Sequence, residues 1–557
     1  MAESFLTKPP SRSGFGVRQP ALPNAVLVLA LIALGLGIFF RFYHLDRKVY
    51  SGDEVYTSLR MLGDVEAQLV RQADHFHDAH DLWLVLHPTP PQGATDPFAT
   101  VRGLALEEPQ HPPIYYLLGH FWLGVFGNSI AAIRGLSAVI SLLALPLAFW
   151  LGIELYGRPR AGWIAVALFA LSPIGVLYAQ EAREYALWTV ALLALSATLL
   201  RAIRLDRPAD WWLVAALATF GLYVYPLTFL VLAGLAAYVL LMHRANRPLL
   251  LRCALAFAGG ALAFLPWGVV LLGHVRAVAR SVSTVLSGHL MPGQIARAFA
   301  ALFRLNVFDA NLSNSRLNIV MTALTLLLLL CAIAFVLRRQ PASVSLFLLL
   351  PIVFSTVPLL VVDFFGGESV LIPRYFMPSY IYLDYCLVGL LSAAIAARSV
   401  RIELLGFALF VSLLAVRAAS CVASSQATMW WNKMGDNSVS VASAVNHGLR
   451  PVIVSDEILD YPLVLANYLR PGVALSLRPR CYLCEERAEP KLDADILPPR
   501  RDFTDLFALG PSPQLQSLLH TIVLRRHLHI IHHCINVRHN CVSDLNVEPV
   551  FPTGYAP

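Results

Sequence analysis

The stretch VYSGDEVYTSLRMLG, Val49–Gly63, places two adjacent carboxylates, Asp53 and Glu54, just beyond a long apolar run. A carboxylate can orient a hydroxyl and take its proton as a new bond forms. The same pair is equally suited to capping the helix that follows, since acids are favoured at a helix N-terminus. Three further polar clusters interrupt apolar sequence. His111 lies in EEPQHPPIYYLLGHFWLGVFG. Glu181, Arg183 and Glu184 lie in YAQEAREYAL. Arg374 and Tyr375 lie in GGESVLIPRYFMPSYIYL, with Asp363 and Glu368 upstream. A charge within a bilayer costs about 2.5–3.5 kcal/mol on insertion scales, so each cluster needs a reason. Arginine presents a planar fork that fits phosphate oxygens. The plain alternatives are an interfacial anchor at His111, a short solvated turn at 181–184 and an ordinary boundary arginine at 374. One histidine alone is weak ground for a metal site.

The elements that must carry these residues are membrane helices. The chain has 557 residues, 57% of them hydrophobic and only 14% charged, against about 25% charged in a typical soluble protein. Its mean hydropathy is +0.63. Ala21–Phe40 is a first apolar run, preceded by Lys8, Arg12 and Arg18. It is too long for a signal-peptide core and reads as an uncleaved helix that starts in the cytoplasm. Apolar segments follow near 113–128, 135–156, 160–178, 185–203, 211–226, 227–243, 252–273, 317–337, 342–363, 375–397 and 402–420. The pattern predicts a mainly α, polytopic transmembrane bundle of about 11–13 spans. Its parts are a cytoplasmic segment at 1–20, a membrane domain at 21–420 with a first outer loop at 44–112, and an extracytoplasmic α/β domain at 421–557. An amphipathic helix is expected in the outer loop over Glu54–Gln72, with Val55, Leu59, Leu62 and Val65 on one face. PVIVSDEI and TIVLRRHLHII suggest short strands in the tail.

The net charge of +7 is a topology signal. Arg201, Arg204 and Arg207 mark one cytoplasmic turn, Arg244, Arg247 and Arg252 another, and Arg338–Arg339 and Arg398–Arg401 two more. Loops 274–316 and 364–374 and the C-terminal domain then face outward. Between the first outer loop and Arg201 an odd number of crossings is required, yet four apolar segments lie there. One of them, or a pair acting together, must fall short of a full crossing, with Pro146 and Pro173 as breaking points and Gln180–Tyr185 on the outer side. No basic stripe with interleaved aromatics points to nucleic acid. Cys253, Cys331 and Cys386 lie in apolar segments and read as packing residues. Cys481 and Cys484, and the run HLHIIHHCINVRHNC at 527–541 with Cys534 and Cys541, have irregular spacing for zinc and favour disulfides in an oxidising compartment, with the pairing open.

SGDEVYTSLR, QHPPIYYLL, IAAIRGLSAV, LYAQEAREYAL and IPRYFMPSY occur in the order seen in membrane glycosyltransferases of the GT-C class. The chain resembles the bacterial relatives of protein O-mannosyltransferases (family 39) and the lipid A aminoarabinose transferase (family 83). The resemblance covers roughly 20–400, with a weaker likeness at MWWNKMGDNSVSVASAV. It implies a polyprenyl-phosphate sugar donor, and transfer to a glycolipid, glycan or protein acceptor at the outer face of the inner membrane, in cell-envelope glycosylation. No glycine-rich nucleotide motif is needed or found. Asp53 matches the first-loop acid and takes the role of general base, with Glu54 supporting it or a cation. A neighbouring carboxylate and a dry interface would raise Asp53 above its usual value of about 3.9. Arg183 and Arg374 would hold the leaving phosphate, with Tyr375 and Tyr185 beside them and His111 near the phosphate or a metal. The lipid A enzymes carry a lysine near the entry that here reads QHPP. A divalent cation is compatible with this set, though no ligand spacing demands one. Direct attack would invert the anomeric centre. A transporter or flippase would instead show charges at mid-helix depth and two pseudo-symmetric halves. Here the charged clusters sit at one membrane edge and no repeat is visible. A non-catalytic assembly protein would tolerate Asp53→Asn.

Overall fold

The computed structural model describes residues 22–548, apart from 89–95, 276–277, 279–291, 311–314, 366–370, 431–437, 485–491, 498, 500–501, 526–528 and 533–544. The first apolar run forms α1 (Leu22–Phe42). The polar stretch at 44–112 carries α2 (Gly52–Leu62), α3 (Glu66–Arg71), α4 (Ala79–Leu86) and α5 (Pro97–Glu107). The expected single helix over Glu54–Gln72 is broken at Gly63, whose φ of +86° suits glycine and ends α2. The amphipathic pattern is present, with Val55 and Leu59 buried, but the polar residues Thr57, Ser58 and Arg60 are buried as well. The helix is therefore an internal element and not one lying on a lipid surface.

The next elements are α6 (Ile114–Phe126), α7 (Ile130–Leu142), α8 (Ala144–Tyr156), α9 (Pro159–Ala170), α10 (Pro173–Ala179) and α11 (Tyr185–Leu205). The 13 residues of α6 reach about 20 Å, short of a hydrocarbon core of about 30 Å. The helices α7 and α8 run on as one 27-residue apolar element, and α9 and α10 form a pair bent by 58°. With α11 this gives three crossing-length elements and one short helix, which meets the odd count the charges require. The remaining apolar helices are α12 (Pro208–Val224), α13 (Thr228–His243), α14 (Arg247–Gly273), α16 (Ser315–Arg339), α17 (Ala342–Phe365), α18 (Met377–Ile395) and α19 (Val400–Gln426); α15 (Pro292–Arg304) is amphipathic. Among the described residues eight helices are long and apolar enough to cross a membrane, nine with the bent pair, and α6, α12 and α13 are shorter apolar helices. Every apolar segment of the sequence is one of these elements. Cys253 and Cys386 are buried, whereas Cys331 is exposed on the outer surface of α16.

The bend between α9 and α10 has a local cause and a distant one. Pro173 sits in the first turn of α10 and has no N–H to offer. The carbonyls freed at the end of α9 are taken by two buried arginines. Arg41 donates to Ala170 O (2.6 Å) and Phe169 O (3.0 Å), and Arg417 donates to Leu168 O (2.6 Å). Arg417 is also paired with Asp384 at 2.5 Å. Asp384 and Arg417 lie well inside α18 and α19, so the charged groups are not confined to one membrane edge; these two exist as a pair because a lone buried charge is unsustainable. In α7 and α8, Pro146 sits in the first turn of α8, beside the junction at Leu143.

The C-terminal domain is α/β. Its elements are α20 (Ser438–His447), β1 (Pro451–Ser455), α21 (Asp460–Ala466), β2 (Ala474–Leu477), β3 (Asp505–Ala508), α22 (Pro513–Arg525), β4 (His529–His532) and β5 (Leu545–Glu548). The parallel sheet runs β2-β1-β3, with Val452 opposite Ala474 and Leu506. PVIVSDEI does supply a strand. In TIVLRRHLHII, Thr521–Arg525 is instead the end of α22, and the strand begins at His529. The reason is the helical spacing of buried Leu515, Leu519 and Ile522. The sheet continues into the outer loop through hydrogen bonds from Ala79 N to Val473 O and from Leu475 N to His77 O, both 2.9 Å.

Candidate active site

Asp53 and Glu54 open α2, and consecutive residues on a helix point about 100° apart. Their side chains accordingly go to different places. Glu54 is fully buried and its carboxylate is saturated. Arg134 of α7 grips it through Nε and Nη2, both at 2.7 Å; Ala182 N donates at 3.0 Å and Ser51 N at 3.0 Å. The bond from Ser51 is the capping role weighed for this pair. Arg134 also donates to the carbonyls of Leu45, Lys48 and Val49. The Glu54 carboxylate is thus a structural anchor.

Asp53 faces the other way, with its side chain 37% exposed. Arg374 Nη1 lies 2.5 Å from Asp53 Oδ2. Arg374 comes from a 3₁₀ turn, Pro373–Phe376, that leads into α18, and its guanidinium sits 5.5 Å from the Tyr375 ring centre. The charge beside Asp53 is therefore an arginine, and the mutual repulsion expected from Glu54 is absorbed by Arg134.

The segment between α10 and α11 is not a solvated turn. Glu181, Arg183 and Glu184 are all buried. Arg183 Nη1 donates to Asp53 O and to Thr57 Oγ1, both 3.2 Å, and Nη2 lies 2.9 Å from His111 Nε2. Guanidinium can only donate, so Nε2 of His111 accepts. Nδ1 then carries the proton and donates to Glu184 Oε1 at 2.8 Å. Tyr116 donates to the other Glu184 oxygen at 3.3 Å. Burial by itself would raise the Glu184 carboxyl, but Arg183 and His111 outweigh it and hold it at about 2. With both nitrogens engaged, His111 holds Arg183 in place and has no lone pair left for a metal. Among the described residues no three His, Cys, Asp or Glu side chains gather to hold a metal ion. Cys534 and Cys541 lie outside the described residues; Cys481 and Cys484 are joined as a disulfide.

Tyr185 is buried in an aromatic wall, 4.9 Å from Tyr178 and 5.7 Å from Tyr225 between ring centres. Tyr225 also faces His111 at 6.4 Å. The loop carrying His111 is pinned by Trp267 Nε1, which donates to Pro109 O at 2.9 Å. Five separate chain segments thus deliver one acid, two arginines and a group of tyrosines to one place.

Residues 110–272 match the family model of dolichyl-phosphate-mannose-protein mannosyltransferases. The chain is similar in structure to ArnT from Cupriavidus metallidurans in the apo state, at 14% identity and a TM-score of 0.49, over 94% of this chain and 98% of that one. The same enzyme bound to undecaprenyl phosphate aligns at 12% identity and a TM-score of 0.47, over 95% and 99%. The oligosaccharyltransferase AglB from Archaeoglobus fulgidus, in complex with an inhibitory peptide and a dolichol-phosphate, aligns at 14% identity and 0.47, over 81% and 64%. A sequence search of curated proteins finds no match.

The structure brings together Asp53, His111, Arg183, Tyr185, Arg374 and Tyr375, and turns the Glu54 carboxylate away from them toward Arg134. Arg134, Tyr116 and Tyr225 carry no role in the sequence reading. The signal for Arg134 was present, a lone arginine inside the apolar run IAAIRGLSAV, where an unpaired charge would be costly. Tyr116 and Tyr225 have no such signal, since tyrosines are ordinary at membrane edges.

Proposed function

We propose that this chain transfers a sugar from a polyprenyl-phosphate donor to an acceptor hydroxyl at the outer membrane face, with Asp53 as general base. The observation that carries the reading is the meeting of part-exposed Asp53 with two arginines from distant segments, Arg374 on its carboxylate and Arg183 on its backbone carbonyl. The match over residues 110–272 to a family named for a dolichyl-phosphate donor supports the donor class. The 21-residue helix α11 separates Glu184 from Arg204 by about 30 Å. That puts Glu184 at the opposite end of α11 from the Arg201–Arg207 turn, which supports the outer-face reading.

In the reaction, the acceptor oxygen attacks the anomeric carbon as its proton passes to Asp53. The bond from that carbon to the lipid phosphate oxygen breaks, and the electron pair leaves on the phosphate. Arg374 and Arg183 stabilise the charge that develops there. Arg374 serves two partners: a bound phosphate attracts its fork and loosens its hold on Asp53 Oδ2, which is then available to the acceptor. Glu54 and Arg134 keep the start of α2 in place, and the tyrosines line the site.

Binding of polyprenyl phosphate tests the arginines without needing the acceptor. Arg183→Ala or Arg374→Ala should weaken binding of the purified protein by about 10- to 100-fold, the equivalent of one charge-assisted hydrogen bond. Wild-type affinity in both variants would remove the phosphate site.

A further inference from the structure

The C-terminal domain grips the catalytic helix on both sides of Asp53. Ahead of it, Val49 N donates to Thr428 O at 2.9 Å, Trp430 Nε1 donates to Val49 O at 2.7 Å, and Tyr50 N donates to the Tyr468 hydroxyl at 2.7 Å. Beyond it, the grip is a carboxylate held by a disulfide loop. The Cys481–Cys484 bond closes a short turn. The amides of Tyr482 and Leu483 in that turn donate to the two oxygens of Glu66, at 3.0 and 2.9 Å. Glu66 is fully buried at the start of α3. Its own amide and that of Ala67 donate to Glu107, at 2.8 and 2.9 Å. Glu107 in turn accepts from Arg60 at 2.6 Å, and Arg60 pairs with Glu108 at 2.9 Å. Arg60 is buried on α2, two turns after Asp53. An unbroken chain of hydrogen bonds and ion pairs thus links the disulfide loop to the helix that carries the proposed base.

Both amides converge on one carboxylate in the turn that the disulfide closes. The disulfide restricts the open conformations of that turn and so favours the gripping one. Without it the turn loosens, Glu66 loses its donors, and a buried carboxylate without donors is costly. The strain passes to Glu107 and Arg60, and so to α2. We propose that Glu66 and the Cys481–Cys484 loop form a redox-dependent clamp through which the C-terminal domain positions Asp53 for transfer. The proposal rests on the glycosyltransferase reading for what is positioned, but the clamp itself is independent of it.

The test uses the full chain in lipid nanodiscs, with and without a phosphine reductant. The phosphine gives up two electrons and water supplies one oxygen and two protons, so the S–S bond becomes two thiols and the phosphine leaves as its oxide. Amide exchange is followed at 482–483 and at 52–62, alongside kcat and donor KM for transfer. Reduction should raise exchange at both places by about tenfold, as local opening does, and lower kcat severalfold with donor KM little changed. Cys481→Ala/Cys484→Ala should show the same loosening with no further response to the phosphine, and Glu66→Ala should loosen 482–483 in the oxidised protein. Unchanged exchange at 52–62 after reduction, or loosened exchange with kcat intact, overturns the proposal. If the wild type transfers no sugar at all, the enzymatic reading fails separately, and exchange at 52–62 still decides the clamp.

Discussion

A charge buried among apolar helices persists only with a partner of equal quality, and Glu54 and Arg134 show what that requires. Each Glu54 oxygen accepts one arginine N–H and at least one backbone amide, and Arg134 uses its remaining donors on three carbonyls just ahead of Asp53. Removing one partner strands the other. Arg134→Ala should therefore cost about 3–5 kcal/mol of stability, measured by denaturant or thermal unfolding in detergent. Arg134→Lys should recover only part of it, because a point charge cannot reproduce the fork. Asp53 is the contrasting case. Its side chain is 37% exposed and an asparagine oxygen can still accept from Arg374, so Asp53→Asn should cost clearly less stability than Arg134→Ala. A large loss of stability in Asp53→Asn, or none in Arg134→Ala, would reverse the roles given to the two acids. That two acids sit side by side was plain in the sequence. Which one is structural was not, because the answer lies in an arginine 80 positions away.

The break between α9 and α10 belongs to the scale of elements. Pro173 announces it in the sequence, but the means of surviving it do not appear there, since Arg41 and Arg417 come from the first and last apolar helices. Gly37 sets how closely α1 approaches this break. A Cβ at that position would lie 2.3 Å from Ala170 O, a backbone atom that cannot swing aside. Gly37→Leu should push α1 away, weaken the bond from Arg41 to that same carbonyl, and lower the unfolding temperature; a variant as stable as wild type would show that the contact is not restrictive. Helix boundaries were legible wherever apolar runs ended in arginines or prolines. The division of Glu54–Gln72 at Gly63 and the helical fate of Thr521–Arg525 were not. In both cases packing against a distant surface decided between patterns that composition leaves balanced.

For the whole molecule, the three crossing-length elements from α7 to α11, the short α6 and the hydrogen bonds from the C-terminal domain to residues 49–79 are compatible with a site at a single end. Glu66 makes that clamp sensitive to pH. Burial pushes its carboxyl up to about 7, and the Glu107 charge adds to this, while the Tyr482 and Leu483 amides and Arg60 act in the opposite direction. A raised value means that the docked form holds its proton more tightly than the open form. Docking is therefore strongest below the open-form value and weakens as pH rises through about 7. Exchange at 482–483, corrected for its intrinsic rate, should be faster at about pH 8.5 than at about pH 6.5; the reverse order would place the charge elsewhere. The sequence marks the membrane elements and the adjacent acids Asp53 and Glu54, whereas the joining of the C-terminal domain to α2 and α3 rests on single amides and carboxylates that no pattern marks. The most direct test of the account is transfer itself, in membranes fed labelled polyprenyl-phosphate sugars. Wild type should label an acceptor, and Asp53→Asn should do so about 10²- to 10⁴-fold more slowly, the usual reach of a lost general base; labelling at the wild-type rate by Asp53→Asn would contradict the central claim.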